Sequence, residues 1–233
     1  MKKINFILLI LIGLLILNSN ARGKTVQDFI QDLKSNDEKR YDKAAEYFTE
    51  CEDTSIIPIL IESLDDSNAT VRAYMVRVLA YKKVKGAIPE IIKLLKDSNE
   101  EVRRSAAEAL GDMPDNRAMS FLFKTLEDNN KWVRSFSATA LGKINDKRSV
   151  PYLIKSLKDS EGEVRLSTVK ALGNIGDKEA VSHLKNIMEQ DTYTKIINAF
   201  LRGGKKGEKI IVYPVREAAK KVLEELKAKQ KQE

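Results

Sequence analysis

The feature that most constrains this chain is a pattern that returns every 31 residues. Val71-Arg72, Val102-Arg103, Val133-Arg134 and Val164-Arg165 are spaced by that interval, as are Asp66, Asp97, Asp128 and Asp159. The pairs Leu110-Gly111, Leu141-Gly142 and Leu172-Gly173 keep it too, with Leu79-Ala80 in the earliest of these units. A fixed period of this length means that each unit is one supersecondary element, unable to bury its own apolar face and completed only by stacking on its neighbours. The architecture is therefore an elongated array.

Within a unit, Ile88, Ile91, Ile92 and Leu95 are spaced as i, i+3, i+4, i+7, the stripe of a helix buried along one side. Pro58, Pro89 and Pro151 fall at the second place of the unit, where the first turn of a helix has a spare N–H and tolerates proline. Asp-Ser-Asn, as at residues 97–99, then stops the first helix and can cap a second. That second helix runs through Val102, Ala106, Ala109 and Leu110 to Gly111, read here as its C-terminal signal. Units begin at Ile57, Ile88, Met119, Val150 and Val181, and a degenerate unit around Val26, Phe29, Ile30 and Leu33 reads as an N-terminal cap. With only 5 Pro and 11 Gly in 233 residues, most of the chain is free to be helical.

The N-terminus carries a different signal. Met1-Lys2-Lys3 precedes an apolar run over residues 4–17, followed by Ser19-Asn20-Ala21. A basic start, a short apolar segment and small residues before a cut after Ala21 form a secretory signal peptide. Its length falls below the ~20 apolar residues of a spanning helix. The expectation is export to the periplasm or the exterior of a bacterium, with a membrane anchor as the alternative if residues 1–21 are retained. Export makes nucleic acid an unexpected partner. The single Cys51 excludes an internal disulfide, and the single His183 leaves little from which to build a metal site or a nucleophile–base pair. No catalytic residue, metal or cofactor is expected, and the chain reads as a non-enzyme.

The strings AIPEIIKLLKDSNEEVRRSAAEALGDM, residues 87–113, and SVPYLIKSLKDSEGEVRLSTVKALGNIGD, residues 149–177, resemble the short HEAT repeats of the phycobilisome-lyase type. The resemblance is strong over 57–179 and weaker over 26–56 and 180–226. It implies an all-α fold, a right-handed α-α superhelix of about six helix pairs. On that basis residues 1–21 are the signal, 22–56 the capping repeat, 57–179 four repeats, 180–226 a C-terminal repeat and 227–233 a polar tail. The repeat serves bilin lyases, a di-iron hydroxylase, DNA-alkylation glycosylases and scaffolds, so it implies a fold and leaves function open. The hydroxylase's His-Glu metal pairs have no counterpart, since His183 is followed by Leu184.

The Asp and Arg columns recur in every unit, which suits a ladder joining layers better than an individual site. Function is sought where the rule breaks. Positions equivalent to 101, 104, 105, 108 and 112 project away from the buried stripe of the second helix, onto the surface that lines the groove of such a stack. One unit places Glu101, Arg104, Ser105, Glu108 and Asp112 there, which reads as solvated surface. Its neighbours place Tyr74, Arg77 and Tyr81, then Trp132, Phe136 and Lys143, then Leu166 and Lys170. Large aromatics beside cations match the composition of protein-binding hot spots. The candidate partner surface is thus Tyr74, Arg77, Tyr81, Arg104, Trp132, Phe136, Leu166 and Lys170.

A second break is an insertion. Val164-Arg165 and Val215-Arg216 are 51 residues apart, so 20 extra residues, about 192–211, enter the last unit. Lys195, Arg202, Lys205, Lys206 and Lys209 against Glu208 give it a formal charge of +4. Its β-branched runs flank a Gly-rich stretch, which reads as a projecting hairpin or a loop. It suits an acidic protein, an anionic envelope polymer or lipid head groups. The combined reading is an envelope scaffold that binds a protein through its groove; the alternatives are an accessory, lyase-like subunit and a binder of anionic membrane surfaces.

Overall fold

The computed structural model describes residues 23–35, 37–200 and 206–230. The expected signal peptide, Arg202, Lys205 and the last three residues of the tail lie outside the described residues. The N-terminal pair is α1 (Val26–Leu33) and α2 (Glu38–Glu50). Thr25 and Asp28 form a reciprocal capping box at the start of α1, and Asp37 caps α2. Four units follow as α3 (Ile57–Glu62) with α4 (Ala69–Tyr81), α5 (Ile88–Lys93) with α6 (Glu100–Asp112), α7 (Met119–Thr125) with α8 (Lys131–Ile144), and α9 (Val150–Ser156) with α10 (Gly162–Ile175). The last unit is α11 (Val181–Gln190), strands β1 (Lys195–Phe200) and β2 (Lys206–Val212), and α12 (Pro214–Gln230). The α-solenoid expected from the period is thus present, with one antiparallel hairpin added.

Local chemistry accounts for many of these boundaries. The prolines Pro58, Pro89 and Pro151 sit in the first turn of α3, α5 and α9, as their fixed φ and missing donor require. The side chains of Asn68, Asn99 and Asn130 accept hydrogen bonds from the amides of Thr70, Glu101 and Trp132 at 2.8, 2.9 and 2.8 Å, capping the second helices. Two residues earlier, Asp66, Asp97 and Asp128 accept from the amides of those same asparagines. In the fourth unit Glu161 takes the capping place and makes no side-chain cap.

The glycine of the Ala-Leu-Gly motif acts differently from the helix stop read in the sequence. Gly111, Gly142 and Gly173 lie inside α6, α8 and α10, and the left-handed positions after α8 and α10 belong to Asn145 and Gly176. A Cβ at Gly142 would stand 2.6 Å from the Cα of Ala171, so this glycine brings two helix backbones together.

The core is a set of columns at the repeat interval. Leu60, Ile91, Leu122, Leu153 and Leu184 come from the first helices, and Val71, Val102, Val133, Val164 and Val215 from the second; all are fully buried. Second helices pack along one another in the order α4, α6, α8, α10, α12, whereas neighbouring first helices meet far less. Small residues let the second helices pack closely along one another, on the side where the repeat resemblance expects the groove. Ser105 and Ser135 are consequently buried between adjacent second helices, and the reading of Ser105 as solvated surface is corrected.

Candidate functional site

Because the charged columns are the most regular part of the chain, their geometry decides whether they are a site. Arg72 donates Nε and Nη2 to the two carboxylate oxygens of Asp97 at 2.8 Å each, and its Nη1 to the carbonyls of Asp66 and Ser67 at 2.7 and 3.1 Å. Arg103 repeats the arrangement on Asp128, and Arg134 on Asp159. Burial pulls the carboxyls of Asp97, Asp128 and Asp159 upward, but the arginine and backbone hydrogen bonds and the surrounding arginine charges outweigh it and hold all three below their ordinary value. Each carboxylate is committed to joining one unit to the next. None is available as an acid or base.

The ladder also explains how the insertion is tolerated. Arg165 clasps Asp191, one residue beyond the repeat interval, because α11 runs as one continuous helix to Gln190. Arg216 then bonds the Asp191 carbonyl, closing the last rung across 25 residues where other units need 6. Nineteen residues are thereby looped out without breaking the stack. At the root of the loop, Tyr193 donates its hydroxyl to Glu163 at 2.5 Å, and its ring occupies the space beside Gly162, where a Cβ would approach to 2.0 Å. Burial and the Glu163 carboxylate push the Tyr193 phenol up to about 12. The loop itself is the hairpin alternative of the sequence reading: β1 and β2 pair antiparallel, Lys195 opposite Val212 and Asn198 opposite Lys209, with an irregularity before Phe200. Lys195, Lys206 and Lys209 are on these strands.

The eight candidate partner residues all lie on second helices, but they do different things. Tyr81 is 69% exposed and Trp132 43% exposed, with the Lys131 ammonium 5.4 Å from the indole. Lys170 is exposed on α10. Phe136 and Leu166 are half-buried and packed on the core. Tyr74 is turned toward the N-terminal cap, where its hydroxyl donates to the Ala45 carbonyl at 2.9 Å and its ring meets Tyr41 edge-on. Arg77 and Arg104 both bond Glu101, at 2.9 and 2.5 Å. The free part of the face is therefore Tyr81, Trp132 and Lys170, supported by Phe136 and Leu166.

Sequence reasoning missed an aromatic pair on the other side. Phe123 of α7 and Tyr152 of α9 stack with ring centroids 3.9 Å apart and planes 3° from parallel, leaving Tyr152 42% exposed. The signal was legible, since Phe123 stands where Ile61, Ile92 and Ile154 stand in other units. Among the described residues, no group of side chains has the composition of a metal site, and no helix is long and apolar enough to cross a membrane.

Comparison with known proteins agrees with this architecture. A family model for HEAT repeats matches residues 57–135 and 119–202. No curated protein matches the chain. Among solved structures, an engineered protein is 21% identical, covering 87% of this chain and 96% of that one with a TM-score of 0.59. The CpcE–CpcF complex of phycocyanin lyase from Nostoc sp. PCC7120 is 24% identical, over 73% of this chain and 65% of that one, with a TM-score of 0.59. A designed armadillo repeat protein in complex with the peptide (KR)4 is 19% identical, over 87% and 100%, with a TM-score of 0.58.

Proposed function

This chain belongs to the HEAT-repeat family, and from that premise we propose that it is a non-enzymatic scaffold of the bacterial envelope that holds a protein partner on the inner face of its second helices. One observation carries the reading. Trp132 presents a 43% exposed indole at a column whose other members are Thr70, Glu101 and Glu163. A large aromatic on a rigid, preformed face loses little entropy on binding and is the side chain most often found at the energetic centre of an interface. Phe136 on the same helix and Leu166 on the next are half-buried on the core, and the Lys131 ammonium lies 5.4 Å from the indole, the mix of apolar and charged groups found at such interfaces. A designed armadillo repeat protein in complex with a peptide and the complex of CpcE with CpcF support partner binding by a repeat stack of this fold.

The test is site-specific photo-crosslinking in cells, with the reactive group at Trp132 and, for comparison, at the exposed Lys93 of α5. A discrete adduct at 132 that is absent at 93 is expected, and Trp132→Ala should remove the partner from a native pull-down while leaving the helical signal intact. Equal labelling at both positions would refute the reading. Export rests on the N-terminal pattern, and an intact Met1 on the chain recovered from fractionated cells would refute cleavage after Ala21.

The likeness to the phycocyanin lyase complex favours a second reading, an accessory subunit acting on a chromophore-bearing protein. It predicts a co-purifying small chromophore, and a native mass equal to the bare chain counts against it. The insertion, whose sequence contains Lys195, Arg202, Lys205, Lys206 and Lys209, offers an additional contact to anionic surfaces. Unaltered binding to anionic vesicles after removal of residues 195–212 would exclude that role.

A further inference from the structure

The inner face carries a second feature, which shares only Lys170 with the Trp132 surface. Between α8, α10 and α12 lies a groove of about 410 Å³. Its floor is small and apolar, formed in part by Ala171, Gly173 and Val222. A Cβ at Gly173 would come within 2.6 Å of Val222, so the floor is as tight as the helices allow. Its rim carries Lys143, Lys170 and Lys221, against Glu225 as the one carboxylate among the described lining residues.

The cations of this rim are weakly neutralised. Lys143 is 3.3 Å from Asp112 and still 44% exposed, and Lys221 reaches Glu225 only at 3.9 Å while 78% exposed. Lys170 makes no ion pair among the described residues. This contrasts with Arg72, Arg103, Arg134 and Arg165 of the ladder, each held by two-point contact with a carboxylate. An ammonium left in water at low neutralisation is cheap to transfer to a ligand carboxylate, whereas a clasped guanidinium is not.

We propose that this groove takes an extended acidic segment of the protein partner, its carboxylates meeting Lys143, Lys170 and Lys221 in turn. The inference rests on the proposed inner-face function and names the chemistry of the partner. Packed helix axes are spaced by about 10 Å, and an extended chain advances roughly 3.3 Å per residue. One lysine per helix therefore matches an acidic residue at about every third position of a segment crossing the helices. The small floor accommodates short side chains between them.

The test uses the purified protein and a fluorescein-labelled nonapeptide with Glu at positions 1, 4 and 7 and Val or Thr elsewhere, read by fluorescence anisotropy at low and moderate salt. Lys170→Glu with Lys221→Glu, both exposed positions, should weaken binding by about tenfold or more. Replacing the three Glu of the peptide by Gln should do the same. Lys85→Glu with Lys93→Glu, equal in charge change but on the first-helix side, should change affinity by less than about twofold. Equal binding of the Glu and Gln peptides, or equal loss in the two double variants, overturns the proposal. Binding of phosphatidylglycerol vesicles without binding of the peptide, lost in Lys170→Glu/Lys221→Glu, also overturns it, in favour of a lipid surface. The underlying reading fails separately: a selective Trp132 cross-link on the parent protein together with no peptide binding to that protein sinks only the acidic-segment inference, and an unselective cross-link sinks the inner face itself.

Discussion

Removing one carboxylate from the middle of the ladder should cost several times what removing an exposed one costs. In Asp128→Ala, Arg103 loses two hydrogen bonds of 2.7 and 3.1 Å, and the Asn130 amide loses one of 2.9 Å. The paired side chains are 16% and 10% exposed, which places them between a surface ion pair and a buried one. Surface pairs contribute up to about 1 kcal/mol and broken buried pairs cost about 3–5 kcal/mol, so the ion pair is assigned about 2 kcal/mol. The turn amide adds about 1 kcal/mol. A total near 3 kcal/mol corresponds to a fall in Tm of roughly 6–12 °C for a chain of this size. Asp128→Asn keeps the acceptor for Asn130 and should lose only the charge-assisted part. The control is Glu90→Ala, whose partner Lys93 is 70% exposed, and it should cost under about 0.5 kcal/mol. Urea unfolding followed by far-UV circular dichroism measures all three. The sign with pH follows from the same contacts. Asp128 is pulled up by burial but held below its ordinary value by the Arg103 and Asn130 hydrogen bonds and the Arg103 and Arg134 charges. Its contribution is therefore complete above the unfolded value near pH 4 and is lost as pH falls through the lower folded value. The parent protein should thus lose more stability than Asp128→Asn between about pH 5 and pH 2. If Asp128→Ala costs no more than Glu90→Ala, the ladder is not what couples the units.

Two further substitutions test the reading of individual positions. Gly142→Ala would place its Cβ 2.6 Å from the Ala171 backbone and should destabilise by about 1–3 kcal/mol, whereas Gly111→Ala meets Ala140 at 3.8 Å and should be neutral or stabilise by up to about 1 kcal/mol, both read from urea midpoints. Glu161→Asn should supply the cap that α10 lacks and raise stability by about 0.5–1 kcal/mol, a gain visible as a higher Tm.

Much of this molecule was readable because a repeat supplies its own controls. The period, the helix starts at Pro58, Pro89 and Pro151 and the asparagine caps are local events, set by backbone chemistry within a few residues. The Asp and Arg columns announced a ladder for the same reason, since identity at every layer implies a contact made at every layer. Gly111 reads as a helix stop because a glycine that ends a helix and one inside it, such as Gly142 where the Ala171 backbone approaches, look alike in one dimension. Ser105 was misplaced because a helical wheel records one buried stripe, whereas a second helix in a stack is flanked on both sides. Tyr74 reads as a free aromatic in the sequence, and only the neighbouring cap shows its hydroxyl committed to Ala45.

The sequence by itself determined the period, the helix pairing, the caps and the columns that hold one unit to the next, because these depend on short-range chemistry repeated at a fixed interval. Tertiary structure alone decided which exposed side chains remain free. That property depends on distances across the stack: Arg77 and Arg104 are spent on Glu101, while Trp132, Lys170 and Lys221 still face solvent. It also decided that nineteen residues could be looped out at Asp191, since the rung closes through Arg165 and Arg216 whatever length of chain lies between them.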